Sequence, residues 1–190
     1  MIQIVSGTDR PNSRTLAVSQ LVHNLYKTNG TNTELIDLAK ITAADFHGGN
    51  YSSGPTGTLK AAVDKITAAE GVILIVPEYN GSYPGILKLF IDYWKYPESF
   101  ESRPFAFVGL GIRWGGLRPV EHLQQALGYR NGYLFPNRVF LPNIHTGLKD
   151  GALVDPAHLN LLKLQAQEFV QYIKALKSQG LDANTRLAKK

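Results

Sequence analysis

The chain has 190 residues, 44% of them hydrophobic and 18% charged, with a formal net charge of +5. That length suits one domain of about 100–200 residues and buries roughly 70% of its unfolded surface, so neither a metal nor a disulfide is needed for stability. Cysteine is absent, which excludes disulfides, thiolate catalysis and cysteine-ligated zinc or clusters.

The charge is concentrated at one end. Lys174, Lys177, Arg186, Lys189 and Lys190 face one acid there, Asp182, and the rest of the chain is close to neutral. A basic chain end without a basic, aromatic-studded face argues against a nucleic-acid partner. No segment reaches the roughly 20 apolar residues of a membrane span, and Met1-Ile2-Gln3-Ile4-Val5 lacks the flanks of a signal peptide. A soluble cytoplasmic protein is expected.

Ile2 to Ser6 reads as a strand, and Val18, Leu21, Val22 and Leu25 then follow the spacing of an amphipathic helix. Thr33 to Leu38 is a second short strand, and Leu59, Ala62, Val63 and Ile66 mark the next helix. Val72 to Val76 is wholly aliphatic, as a strand covered on both faces of a parallel sheet should be. A helix starts near Pro84, where the missing N–H costs nothing. Phe105 to Leu110 is a strand, Val120, Leu123 and Leu127 lie on a helix, and Tyr133 to Leu141 contains the fifth strand. Leu162, Ala166, Phe169, Ile173 and Leu176 form the stripe of a closing helix.

This alternation predicts an open α/β sheet with right-handed crossovers. Residues 1–177 form the domain, followed by a basic, flexible tail over 178–190 whose last ten or so residues fray. Phe46 to Gly57 reads as a polar loop, of a length that is usually functional or mobile.

In such a sheet, ligands bind beyond the carboxyl ends of the strands. Three loops at that edge stand out. The first runs from Ser6 to Thr15 into a helix, with Arg10 and Arg14 as countercharges and hydroxyls on Thr8, Ser13 and Thr15. Helix N–H groups there suit a phosphate, although Asn12 or Ser13 acting simply as a helix cap accounts for the same residues. Neither Gly-x-Gly-x-x-Gly nor a Walker lysine is present. The second loop, Pro77-Glu78-Tyr79-Asn80-Gly81-Ser82-Tyr83-Pro84-Gly85, suits either a flat heteroaromatic ligand or a tight turn. The third, Gly109 to Gly116, has glycines for close ligand approach or for chain reversal.

Together these loops resemble the NADPH-dependent FMN reductase family. The run Pro-Glu-Tyr-Asn-Gly-Ser-Tyr-Pro-Gly-Ile-Leu-Lys at 77–88, with Asp92 following, is similar to that family's signature nearly residue for residue, and Gly115-Gly116-Leu117-Arg118 also corresponds. The likeness extends over roughly Met1 to Leu176. It implies a flavodoxin-like three-layer α/β sandwich with a five-stranded parallel sheet in the order 2-1-3-4-5. It also implies FMN and NADPH or NADH as cofactors, with hydride passing to flavin N5 and on to a flavin, quinone, azo or similar small-molecule acceptor.

By the same resemblance, Thr8, Arg10, Ser13 and Thr15 hold the FMN phosphate, with Arg14 the alternative countercharge read from the loop itself. The family commonly has Ser at the place of Thr8 and Asn at that of Thr15. Pro77, Glu78, Tyr79, Asn80 and Gly81 border the flavin ring, with Tyr79 and Asn80 nearest and Glu78 structural. Gly111, Arg113, Gly115 and Gly116 close its other side. The third loop departs most, since Leu110, Ile112, Arg113 and Trp114 replace smaller residues. Apart from the resemblance, a 2′-phosphate on NADPH calls for an arginine, and Arg113 or Arg118 near the third loop would meet it.

Flavin chemistry needs no acid–base dyad, thiol or metal from the protein. His23, His47, His122, His145 and His158 show no metal-ligand spacing and read as surface or capping residues. From Pro84 to Tyr96, Lys88, Asp92 and Lys95 form a narrow polar stripe surrounded by apolar and aromatic side chains. That pattern predicts a homodimer, or a larger homo-oligomer, packed through this helix, with complete burial inside one subunit as the alternative.

Other readings remain. A non-enzymatic flavin electron carrier or a redox sensor fits the same fold. A hydrolase using Ser82 fits poorly, because Gly-Ser-Tyr-Pro-Gly is not Gly-x-Ser-x-Gly.

Overall fold

The computed structural model describes residues 1–46 and 54–189. Strand β1 (Ile2–Ser6), β3 (Gly71–Pro77) and β4 (Pro104–Leu110) are buried along their whole length. Their side chains alternate between two cores. Val5, Leu74, Val76, Phe105 and Phe107 face α2 (Gly57–Ala68), α3 (Gly85–Asp92) and α4 (Leu117–Tyr129). Ile2, Ile4, Ile73, Ile75 and Val108 face α1 (Arg14–Thr28) and α6 (Pro156–Ser178) on the other side. Continuous aliphatic strands thus follow from helices covering both faces.

The strand order is β2-β1-β3-β4-β5, with β2 at Thr33–Asp37, and every pair in that sheet is parallel. This is the flavodoxin-like order, as the resemblance implied. The fifth strand is broken into β5 (Tyr133–Leu134) and β6 (Val139–Leu141), which pair with opposite ends of β4. Pro136 lies between the two pieces and has no N–H to give the ladder. The gap is closed from α6: Gln165 Nε2 donates to the carbonyls of Phe107 and Asn137, at 2.9 and 2.7 Å. A four-residue α5 (Ile144–Gly147) and a small hairpin of β7 (Leu148–Lys149) and β8 (Ala152–Leu153) precede α6.

The helix expected to run from Pro84 to Tyr96 ends at Asp92. Pro97 disfavours helix in the residue before it. Trp94 is pulled inward, stacked on Phe105 with ring centroids 6.1 Å apart. Leu87, Phe90, Ile91 and Trp94 are all buried within the subunit, while Lys88 pairs with Asp92 at the surface. Leu89 stays exposed on the same side.

Past Ser178 the chain does not fray as expected. Gly180, at φ 63°, lets the Leu181 N–H reach the Leu176 carbonyl at 2.8 Å. Asp182 then caps a short α7 (Ala183–Leu187) by accepting from the Thr185 N–H. Ala183 is buried, and Arg186 donates to Ser102 Oγ at 3.1 Å. Beneath this segment lies Arg103, fully buried, with Nη2 donating to the carbonyls of Thr67 (2.8 Å) and Glu98 (2.6 Å). Burial pushes its pKa down to about 10, against the opposing pull of the Asp182 charge.

The polar loop read between Phe46 and Gly57, with His47, falls largely on residues 47–53, outside the described residues. Among the described residues, no helix is long and apolar enough to cross a membrane.

Candidate cofactor site

The carboxyl ends of β1, β3, β4 and β6 meet at one edge of the sheet. Gly7 follows β1 and lies hard against β3: its N–H donates to the Ile75 carbonyl at 3.0 Å, and a Cβ there would come within 2.7 Å of that oxygen. Thr8, also buried, shares a 2.8 Å hydrogen bond with the Tyr79 hydroxyl and accepts from the Arg10 N–H. The Arg10 guanidinium sits 5.0 Å from the centre of the Tyr79 ring, a cation–π distance. Ser13 caps α1, its Oγ accepting from the Leu16 N–H at 3.0 Å. The capping role read from the sequence is therefore real, and it places Arg10 and Arg14 at the positive end of a long helix.

The second loop is a turn. Tyr79 and Ser82 exchange both backbone hydrogen bonds (2.8 and 3.1 Å) across Asn80 at φ 51° and Gly81 at φ 79°. Asn-Gly is the pair such two-residue hairpins favour. Asn80 is exposed at the tip, and Arg118 leans over Gly81, with Nη1 3.0 Å from where a Cβ would stand. Ser82 Oγ is 2.9 Å from His122 Nδ1. Among the described residues no carboxylate stands within 4 Å of His122 to orient it as a base, so the pair ties the turn to α4 and does not revive a hydrolase.

In the third loop, Gly115 and Gly116 (φ 60° and 79°) pack onto β4 and β6. A Cβ on Gly116 would lie 2.5 Å from the Leu110 nitrogen, and one on Gly115 would lie 2.8 Å from that of Leu141. A fourth loop, after β6, is laced to the third. The Asn143 N–H donates to the Ile112 carbonyl at 2.8 Å and the Ile144 N–H to that of Gly111 at 3.3 Å.

These loops enclose a cavity of about 560 Å³, within the range of about 300–1,000 Å³ usual for cofactor sites. Residues 10–15 line it from the first loop, Pro77, Glu78 and Tyr79 from the second, and Leu110, Gly111 and Ile112 from the third, with Pro77 and Leu110 paired side by side at the strand ends. Thr8 stands behind Tyr79 as its hydrogen-bond partner. Asn80, Gly81, Arg113, Gly115 and Gly116 lie outside the lining. Ile144 and His145, which the sequence reading did not place here, complete it. Their signal was positional: they follow a strand at the same carboxyl edge.

The arrangement fits FMN on its own geometry. Two arginines and the start of α1 make an anion end. Gly111 lets the third loop lie close against the second: a Cβ there would meet the Gly116 nitrogen at 2.7 Å and Glu78 Oε2 at 3.0 Å. A larger groove of about 740 Å³ lies at the opposite edge, beside Met1, Glu70 and Lys177. Glu70 there binds the Met1 ammonium (2.6 Å) and Lys177 (2.8 Å). That groove faces helix C-termini, which repel the phosphate the first cavity attracts.

Fold and cavity together define a flavodoxin-like flavoprotein. The chain belongs to the NADPH-dependent FMN reductase family, whose family model matches residues 1–146. An FMN-dependent NADPH-azoreductase of Staphylococcus aureus is 30% identical over 142 residues, covering 72% of this chain and 73% of the relative. Among solved structures, the flavoenzyme NAD(P)H:(acceptor) oxidoreductase FerB of Paracoccus denitrificans superposes with a TM-score of 0.74 at 19% identity, over 92% of this chain and 97% of that one. An NADH:FMN oxidoreductase in its apo form gives 0.70 at 18% identity, over 88% and 87%. The protein is an FMN-dependent NAD(P)H oxidoreductase.

Proposed function

We propose that this reductase delivers electrons from NAD(P)H to an aromatic acceptor of the azo or quinone type. The observation that carries this reading is the cavity itself, charged at the α1 end and lined beyond it by Tyr79, Leu110 and Ile112. The azoreductase name of the Staphylococcus aureus relative supports the acceptor class. When bound, FMN supplies the two-electron chemistry. Arg10, Arg14 and the N–H groups of α1 hold the phosphate, with Ser13 and Thr15 as further hydroxyl partners. Thr8 fixes the Tyr79 phenol. Pro77, Glu78, Tyr79 and Gly111 would border the ring, while Leu110 and Ile112 would limit water access. Asn80, Gly81, Gly115 and Gly116 act by shaping the loops, and Arg113 lies at the rim.

FMN should bind with a perturbed flavin spectrum that bleaches with NADPH under anaerobic conditions, followed by multiple turnovers on an azo dye or quinone. Bleaching without turnover would identify an electron carrier instead. Arg14→Ala should weaken FMN at least about tenfold, the loss of one charge-assisted hydrogen bond, and leave riboflavin affinity unchanged. Equal losses for both flavins would remove the phosphate assignment.

The same reading includes a homodimer and a cytoplasmic location. The surface strip of α3 offers Leu89, 39% exposed, flanked by Lys88 and Asp92, with Ile86 and Tyr93 half-buried beside it. Light scattering at micromolar concentration should return twice the chain mass of 20.9 kDa, and Leu89→Glu should halve it. A wild-type monomer would refute the dimer.

A further inference from the structure

The rim of the cavity carries three side chains, Arg113, Trp114 and His145, that flavin binding leaves without a task. Ile112 and Trp114 are 68% and 65% exposed, an unusual position for an indole unless something stacks on it. Arg113 lies between them, also exposed, and His145 lines the cavity from the adjoining loop. The backbone bonds from Asn143 to Ile112 and from Ile144 to Gly111 hold the two segments together. Gly115 and Gly116, pressed against β4 and β6, stop the third loop from folding inward to bury the indole. Among the described residues neither Arg113 nor His145 has a hydrogen-bond or ion-pair partner. The one acid lining the cavity, Glu78, packs against Gly111, with Oε2 3.0 Å from where a Cβ would stand.

An exposed ring beside an unpaired guanidinium and an unpaired imidazole suits one ligand chemistry: a planar aromatic group carrying an anion. We propose that this rim takes the phosphorylated adenosine end of NADPH, with Trp114 stacking on the adenine and Arg113 and His145 binding the 2′-phosphate. The assignment rests on the reductase reading, since it places the end of the dinucleotide remote from the reacting nicotinamide. It also chooses between two arginines. Arg118 is turned over the Gly81 turn, whereas Arg113 extends from the loop that walls the cavity. A guanidinium can grip a phosphate in bidentate fashion, and NADH offers no phosphate at that position. The pair therefore sets the preference between the two dinucleotides.

The two tryptophans make the test direct. Trp94 is 5% exposed and Trp114 65%, so quenching of the long-wavelength emission reports Trp114 alone. The full-length chain, freed of FMN, is titrated with adenosine 2′,5′-bisphosphate, adenosine 5′-monophosphate and anthraquinone-2-sulfonate. The bisphosphate should quench Trp114 and bind at least tenfold more tightly than the monophosphate. Arg113→Gln should remove most of that difference, His145→Gln part of it, and Trp114→Phe should weaken both adenosine compounds alike by calorimetry. Equal binding of the two adenosine compounds overturns the proposal. So does quenching by the sulfonate alone, which would make the rim an acceptor site. FMN is titrated into the same preparations. FMN binding without adenosine binding refutes the rim assignment only. Adenosine binding without FMN binding upholds the rim and refutes the cofactor site, and failure of both refutes both.

Discussion

Gly116→Ala is expected to cost about 3 kcal/mol or more of stability and to abolish saturable FMN binding. Two effects add. Gly116 occupies the left-handed region at φ 79°, where an L side chain costs roughly 1–2 kcal/mol. Its Cβ would also stand 2.5 Å from the Leu110 nitrogen and 2.9 Å from the Gly109 carbonyl carbon. Both atoms are backbone of a fully buried strand, and close-packed interiors cannot yield locally without losing contacts elsewhere. The displaced segment is the one that carries Gly111, so the cavity lining shifts with it. Gly85→Ala is the control, because nothing lies within 4 Å of its Cβ and its backbone is ordinary helix. Alanine there should be neutral or stabilising by up to about 1 kcal/mol. Urea unfolding of both variants decides the matter, and a Gly116→Ala midpoint indistinguishable from wild type would show that the third loop is not pinned.

Arg103→Met should cost about 3–5 kcal/mol, the range for removing one side of a buried charged arrangement. At roughly 2–4 °C per kcal/mol for a chain of this size, the melting midpoint falls by roughly 10 °C. Methionine matches much of the volume, so the loss is polar in origin. The Thr67 and Glu98 carbonyls lose their donor, and the cation that feels the Asp182 charge is removed. Asp182→Asn added to Arg103→Met should then cost less than the two single effects combined, since the electrostatic attraction between the two groups is lost only once. Strict additivity in thermal melts would show that the two groups do not sense each other. Arg103 touches no part of the cofactor cavity, so FMN affinity below the transition should be unaltered. Gly116→Ala has the opposite signature, a loss of affinity as well as stability.

Much of the architecture was legible because two faces of each central strand must be buried. Ile73 and Ile75 belong to one core and Leu74 and Val76 to the other, which explains an aliphatic run without alternation. What escaped was long-range compensation. Gln165 reads as a polar interruption in an apolar helix stripe, and only the broken fifth strand shows why it is there. The end of α3 depends on Trp94 finding Phe105, and the ordering of the last turn depends on Ser102 and Arg103 at the foot of β4. The site follows the same division. Arg10, Ser13, Arg14, Thr15, Pro77, Glu78, Tyr79 and Gly111 line the cavity because strand order alone brings their loops together. Asn80 does not, because the preference of Asn-Gly for a two-residue hairpin lifts it to the turn tip. His145 joins because β6 pairs with β4, and that adjacency depends on sheet topology rather than on any local motif.

The sheet's two borders bear on how the protein behaves when crowded. β2, on one border, carries Glu34 and Asp37, with Lys65 3.5 Å from the Glu34 carboxylate. The other border is split into pieces of two and three residues, with Gln165 already occupying carbonyls at the break. Charge on one side and discontinuity on the other deny a foreign strand the uninterrupted ribbon it needs to add on. The native protein should therefore stay dispersed at high concentration, and the route to precipitation passes through unfolding that exposes β3, an uncharged run of strongly strand-forming residues.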